Sequence, residues 1–236
     1  MSPDFSMRSA QKEMLDEQII LSFLLEKNLN EIDLVNRWLG GHQVTLSGVK
    51  KLLEGKKENI HIVDIGCGSG GTLKYLAAWA GKNNFSFQFT GIDFNAEAVR
   101  LAEKNCRGFS NIRFIHSDYK DVLFNKNFHA DIILSCLFCH HLNNEELKIY
   151  MKETVGRSHL GVVINDLQRH PVPYLFTKML GALFPLSILF KNDAPLSVLR
   201  AFKKRELHTL VEEAVIPNAR VHWKWAFRYL LILKNK

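Results

Sequence analysis

Residues 63–71 read VDIGCGSGG, Val63 to Gly71. The β-branched run Ile60-His61-Ile62-Val63 leads in, and Thr72-Leu73-Lys74-Tyr75-Leu76 leads out as the start of a helix. A strand, a glycine turn and a helix in that order bring backbone N–H groups close to a ligand, because glycine permits a sharp turn and close approach. Two spacings fit. Gly66, Gly68 and Gly71 match the dinucleotide pattern G-x-G-x-x-G, which alone is weakly specific. Gly66, Gly68 and Gly70, with Asp64 two residues ahead, match an acid-x-G-x-G-x-G loop. Asp64 at the strand end suits a ligand with an amino group, whereas a pyrophosphate gains nothing from a carboxylate there.

The same alternation continues downstream. Apolar runs at 60–66, 85–93, 112–118, 130–136 and 160–166 are rich in Ile, Val or Phe and end in or beside Gly, Asp or Ser. Helical segments at 70–80, 96–105 and 144–155 separate them, the last two starting after the N-cap residues Asn95 and Asn143. Strand–helix alternation of this kind predicts a Rossmann-like α/β fold with a parallel sheet covered on both faces. Leu207, Leu210, Val211 and Ala214 mark a further helix, and residues 219–234 read as an antiparallel hairpin turning near Trp225-Ala226. Residues 11–55 read as helical, with stripes at Leu15, Ile19 and Phe23 and at Ile32, Val35 and Trp38-Leu39. We expect an N-terminal helical cap over residues 1–58 and the main domain over 59–236, forming one structural unit.

Composition bounds the function. The chain has 236 residues, 47% hydrophobic and 23% charged, enough to bury a core of domain size. Its formal charge of +7 is scattered rather than gathered on an arm, so nucleic acid is not expected as a partner. Four cysteines, Cys67, Cys106, Cys136 and Cys139, lack a secreted spacing, which predicts free thiols and a cytoplasmic setting. The apolar stretch at 174–190 is interrupted by Lys178 and Pro185 and is too short to span a bilayer. It reads as a buried or lid-forming helix, with peripheral membrane or lipid-like substrate contact as the alternative.

Further residues narrow the ligand. Asp93 ends the second strand, where a carboxylate accepts ribose hydroxyls. Asp118 ends the third and can accept from an adenine amine, with Phe94 and Tyr119 set to sandwich the ring. Together VDIGCGSG, GIDFN, IHSDY and DIILSCLF resemble the first four motifs of class I S-adenosylmethionine-dependent methyltransferases, over residues 60–142. The resemblance implies S-adenosylmethionine as cofactor, a seven-stranded sheet with the hairpin at one edge, and cofactor contacts from Asp64, Gly66, Cys67, Gly68, Gly70, Asp93, Phe94, Asp118, Tyr119, Ser135 and Cys136. VNRWLGGH, NDLQRHPVPY and LRAFKKREL also resemble a bacterial methyltransferase group, some of whose members are associated with polyketide or phenolic-lipid biosynthesis.

Methyl transfer requires a positioned nucleophile, exclusion of water and, where needed, removal of a proton. Two stretches reach the carboxyl ends of the strands with titratable groups: His140-His141, and Asp166 to His170. A base from His140, His141 or His170, with Asp166 to orient it, is expected for a small aromatic or acyl-bearing acceptor methylated on oxygen. Of the adjacent pair His140 and His141, one is expected to face the cleft. Arg169 suits an acidic substrate group or nearby backbone, Arg37 and His42 a closure over the cofactor, and Phe176, Met179, Leu180, Leu183 and Phe184 an apolar acceptor. Alternatives are RNA or protein methylation, against which the missing Asn-Pro-Pro-Tyr tetrad counts, and a non-catalytic S-adenosylmethionine-binding protein.

The string SCLFCHH at 135–141 contains Cys-x-x-Cys-His, yet it closes a predicted strand inside this motif set. An extended strand would send Cys136 and Cys139 to opposite faces, and zinc wants four converging ligands. No metal is expected there.

Overall fold

A computed structural model describes residues 3–16, 21–55 and 58–234. Among these, seven strands join in one sheet: β1 (Glu58–Ile65), β2 (Ser86–Asp93), β3 (Ile112–His116), β4 (Ala130–Cys136), β5 (Ser158–Leu167), β6 (Ala219–Lys224) and β7 (Arg228–Leu233). Their order is β3-β2-β1-β4-β5-β7-β6, parallel except where β7 runs antiparallel to β5 and β6. The helices are α1 (Ser22–Trp38), α2 (Gly41–Leu53), α3 (Gly71–Lys82), α4 (Ala96–Cys106), α5 (Tyr119–Phe124), α6 (Asn144–Arg157), α7 (Pro171–Leu183), α8 (Ile188–Arg200) and α9 (Lys204–Glu213).

Alternation along the strands sorts the core into two layers. Val63, Ile65, Ile133, Val162, Ile164 and Leu231 face Leu147, Tyr150 and Met151 of α6 and Leu207, Leu210 and Val211 of α9. Ile60, Ile62, Ile132, Leu134, Val163 and Leu230 face Val49, Leu52 and Leu53 of α2 and Leu73, Leu76 and Ala80 of α3. Gly48 lets α2 lie against the strands, since a Cβ there would come within 2.6 Å of Val163 Cγ1. The segment read as a cap therefore supplies, in α2, one of the helices that cover the sheet. α1 stands apart, packing Leu25 and Leu29 on Ala98 and Leu101 of α4.

The expected helix starts are present. Asn95 caps α4 by accepting from the Glu97 and Ala98 N–H groups, and Asn143 forms a capping box with Glu146. Three expectations need correction. The N-terminal helix does not run from residue 11: residues 14–16 form a 3₁₀ turn, α1 begins at Ser22, Phe23 is exposed, and Ile19 lies outside the described residues. In the second stripe Trp38 is exposed, while Ile32, Val35 and Leu39 face a cavity instead of the core. The stretch 174–190 is not one helix, because the chain leaves helical geometry at Phe184–Ser187, around Pro185, and restarts as α8. Among the described residues no helix is long and apolar enough to cross a membrane.

Candidate active site

The strand order reverses between β1 and β4, which opens a crevice at their carboxyl ends. A cavity of about 520 Å³ lies there. Its floor is the glycine turn, with Gly66, Cys67 and Gly68. One wall is Asp93, Phe94, Ser117 and Tyr119, and another is Cys136, Phe138, His140 and His141. α1, Val172, Pro173 and Phe176 of α7, α8 and the loop before β7 close the remainder.

The turn is shaped for close approach. Gly66 has φ +72°, and a Cβ there would stand 2.5 Å from the Phe138 ring. Asp93 fastens the turn: Oδ2 accepts from the Gly68 N–H at 2.9 Å and Oδ1 from the Asn95 N–H at 3.0 Å. Burial raises the Asp93 pKa, against the pull of those two hydrogen bonds. Asp64 is more extreme. It is 1% exposed, its Oδ1 meets no donor among the described residues, and burial followed by the Asp93 charge pushes its pKa up to about 7.

Arg228, at the start of β7, is its counterpart of opposite sign. It lines the cavity and is 2% exposed, and its Nε and Nη1 have no hydrogen-bond partner among the described residues. Asp64 and Arg228 both act electrostatically on Cys136, with opposite effect, so that thiol lies between the influence of two unsatisfied charges. Asp64 is not among the residues lining the cavity but holds one unsatisfied carboxylate oxygen, whereas Arg228 lines it with two unsatisfied nitrogens; buried charges of opposite sign suit the ammonium and carboxylate of an amino-acid ligand. The amino-acid half of S-adenosylmethionine has both. Neither the pairing nor Arg228 was visible in the sequence, where Arg228 is one charge in an alternating strand.

The chain leaves β4 by a sharp bend. Leu137 takes φ +56°, and residues 139–141 form a 3₁₀ turn. The thiols are consequently not on opposite faces of one strand. Cys136 lines the cavity and its sulfur accepts from Thr45 and Asn165, while Cys139 is buried in the core. The bend also carries both imidazoles to the cavity, with ring centroids 4.3 Å apart, where only one was expected.

His140 Nδ1 donates to Asp166 Oδ1 at 2.7 Å, and Asp166 Oδ2 accepts from the His140 backbone N–H at 3.1 Å. Asp166 itself lies behind the cavity wall. Burial opposes its charge, but His140 holds its pKa below the ordinary range. His141 Nδ1 donates to Asp16 Oδ1 at 2.8 Å. Glu13 completes the group: its carboxylate stands 3.6 Å from His140 Nε2 and 3.9 Å from His141 Nε2, and burial pushes its pKa up to about 7. Glu13 and Asp16 belong to the N-terminal segment and carry no motif, so sequence reasoning missed them.

Other expected residues sit elsewhere. Gly70 caps α3 behind the turn, where a Cβ would meet Phe114, Cys106 and Ala102. Asp118 is exposed and caps α5 by accepting from the Lys120 N–H at 2.8 Å. Ser135 is buried against the Tyr150 hydroxyl. His170 caps α7 through the Val172 N–H and stacks on Phe227. Arg169 donates to the carbonyls of Phe5, Ser6 and Ala201 and to Glu206. Arg37 is exposed, whereas His42 lines the cavity, bonded to Asn36 and Asp33. Phe176 faces the cavity, but Met179, Leu183 and Phe184 are exposed.

Comparison with known proteins bears on the domain and its fold. A methyltransferase-domain family model matches residues 62–156. Carboxy-S-adenosyl-L-methionine synthase of Helicobacter pylori (strain P12) is 24% identical over 215 residues, covering 82% of this chain and 85% of that protein. The plantazolicin methyltransferase BpumL, solved with S-adenosylhomocysteine, superposes with a TM-score of 0.67 at 16% identity, over 91% of this chain and 95% of that one. Human N-acetylserotonin methyltransferase, solved with S-adenosylmethionine, superposes with a TM-score of 0.63 at 14% identity, over 91% of this chain and 56% of that one. The chain thus carries a methyltransferase-domain match over residues 62–156 and shares the fold of solved S-adenosylmethionine-dependent methyltransferases.

Proposed function

We propose that this chain transfers the methyl group of S-adenosylmethionine to a small, apolar, aromatic or acyl-bearing acceptor, on oxygen. The observation that carries the reading is one continuous cavity joining the glycine turn to His140 and His141. The cofactor would lie across Gly66, Cys67 and Gly68, with its ribose on Asp93, its adenine near Phe94 and Tyr119, and its amino-acid end between Asp64 and Arg228. The sulfonium carries its own leaving group, so the protein's share is to align the acceptor and exclude water. Leu25, Leu29, Ile32, Val35, Phe176 and Phe190 line the cavity and favour an apolar acceptor body. His140 has its Nδ1–H committed to Asp166, which leaves Nε2 with a lone pair for the acceptor's nucleophile.

The test is direct. Calorimetry with S-adenosylhomocysteine should give saturable binding, and S-adenosylhomocysteine should be released against a panel of phenols, alkylpyrones and carboxylic acids. Binding without turnover on such a panel favours a non-catalytic role, and absence of binding refutes the reading. A second reading follows from the Helicobacter relative, whose likeness spans 82% of the chain. Mass spectrometry of the nucleoside that co-purifies with the chain separates the two, because carboxy-S-adenosylmethionine in the cavity would favour that chemistry.

A further inference from the structure

We propose that Glu13, His140 and His141 form a binding site for a divalent transition-metal ion of the zinc type, open to the acceptor cavity. One ligating atom from each residue lies within 4.8 Å of the others. The Glu13 carboxylate is 3.6 Å from His140 Nε2 and 3.9 Å from His141 Nε2. Ligands at about 2.0–2.1 Å around a tetrahedral ion stand roughly 3.4 Å apart, so little closure is required. Two imidazoles and one carboxylate, with a fourth position left open, is the donor set of a catalytic rather than a structural zinc site.

Three independent features support it. First, both Nδ1 atoms donate to carboxylates, His140 to Asp166 at 2.7 Å and His141 to Asp16 at 2.8 Å. This outer shell fixes the tautomer and leaves both Nε2 lone pairs free on the Glu13 side. Second, Glu13 is 3% exposed, and its Oε1 accepts no hydrogen bond among the described residues. The Arg200 Nε is near, at 3.7 Å, but donates instead to the His140 carbonyl. Third, His140 and His141 both line the cavity, with ring centroids 4.3 Å apart, so an ion between them could be reached from it. Arg8, beyond them, donates to the carbonyls of His140 and Leu142.

The role of the ion rests on the methyl-transfer reading; its binding does not. An acceptor oxygen taking the open position would lose its proton to solvent before the S–C bond breaks and the O–C bond forms, which turns the lone pairs that otherwise draw a proton into ligands. The test uses the full chain, tag removed and stripped with chelator. Zn²⁺ is titrated by calorimetry and Co²⁺ by visible absorption, whose band intensity reports a four- or five-coordinate site. One ion per chain is expected, weakened at least tenfold in Glu13→Gln and in His141→Ala, and about tenfold or more in the outer-shell variant Asp16→Asn. Folding of each variant is checked by S-adenosylhomocysteine binding at the glycine turn, which should be unchanged. No saturable ion binding by the native chain overturns the proposal. So does an ion retained unchanged in Glu13→Gln, as one held by the stacked pair His129 and His159 would be. Ion binding without S-adenosylhomocysteine binding would refute the cofactor reading and leave the metal site standing.

Discussion

Replacing Asp64 by Asn should stabilise the ligand-free protein while weakening it as a cofactor binder. Asp64 is fully buried, and its pKa rises from 3.8 to about 7. A carboxyl whose folded-state pKa lies above its unfolded value keeps its proton in the native state over a range where the unfolded chain has lost it. Native stability therefore falls as pH rises from about 4 to about 7 and is level above and below that window. At about 1.36 kcal/mol per pH unit the full effect is roughly 4 kcal/mol at pH 8. The Asn amide brings a buried N–H donor of its own, which costs about 1–3 kcal/mol if it stays unpaired. The net gain expected for Asp64→Asn at pH 8 is thus about 1–3 kcal/mol, and a chain of this size shifts by about 2–4 °C in Tm per kcal/mol. Differential scanning calorimetry of stripped protein between pH 5 and 8.5, alongside calorimetry with S-adenosylhomocysteine, reads both effects. The stability gap should widen with pH up to about 7 and then hold, while the variant's affinity drops. A variant less stable than wild type at pH 8, or a gap that ignores pH, would show that Asp64 is satisfied in the native state and would refute the reasoning.

Three further outcomes follow from the same cavity. Asp93→Ala removes the acceptor of the Gly68 and Asn95 N–H groups, and S-adenosylhomocysteine affinity should fall by roughly 100-fold or more in calorimetry, given two charge-assisted bonds. Gly66→Val forces a β-branched residue into φ +72° and into the Phe138 ring, and it should lower Tm and abolish S-adenosylhomocysteine binding together. Arg228→Met keeps the length of a buried guanidinium that has two unsatisfied nitrogens and removes its charge. It should leave Tm equal or higher and weaken S-adenosylhomocysteine about 10- to 100-fold, as expected for loss of a charged hydrogen bond.

What could be read from the chain was what local chemistry repeats. β-branched runs ending in Asp or Gly gave the strands, and Asn95 and Asn143 gave helix starts, because caps and pleats depend on neighbours a few residues away. The turn Val63–Gly71 gave the floor of the site for the same reason. Glu13 and Arg228 were invisible because nothing periodic surrounds them; their meaning lies in being buried with unsatisfied polar atoms, Oε1 of Glu13 and Nε and Nη1 of Arg228, which is a property of the folded molecule. Asp118 shows a second role that the sequence did not announce. It stands where an adenine contact is expected, yet a helix begins at Tyr119 and the carboxylate serves as its cap. The pair His140-His141 turned on a single dihedral, the positive φ of Leu137, which no residue type at that position announces.

The first sixteen residues have a history as well as a position. Phe5 and Ser6 are held by Arg169, Ser9 donates to the Leu199 carbonyl, Arg200 takes Gln11 and Asp16, and Asp193 accepts from the N–H groups of Met14 and Leu15. All of these anchors lie more than 160 residues further along the chain. A chain synthesised from its N-terminus makes Glu13 and Asp16 first but can seat them only after α8 has been made and docked. The glycine turn and β1 to β4 can assemble from contacts much nearer in sequence. Long-range closure of this kind is slow relative to local structure. The glycine-turn floor of the cavity is thus positioned to form early in biosynthesis, and the wall that carries Glu13 and Asp16 late, so a nascent chain passes through a stage with the first and without the second.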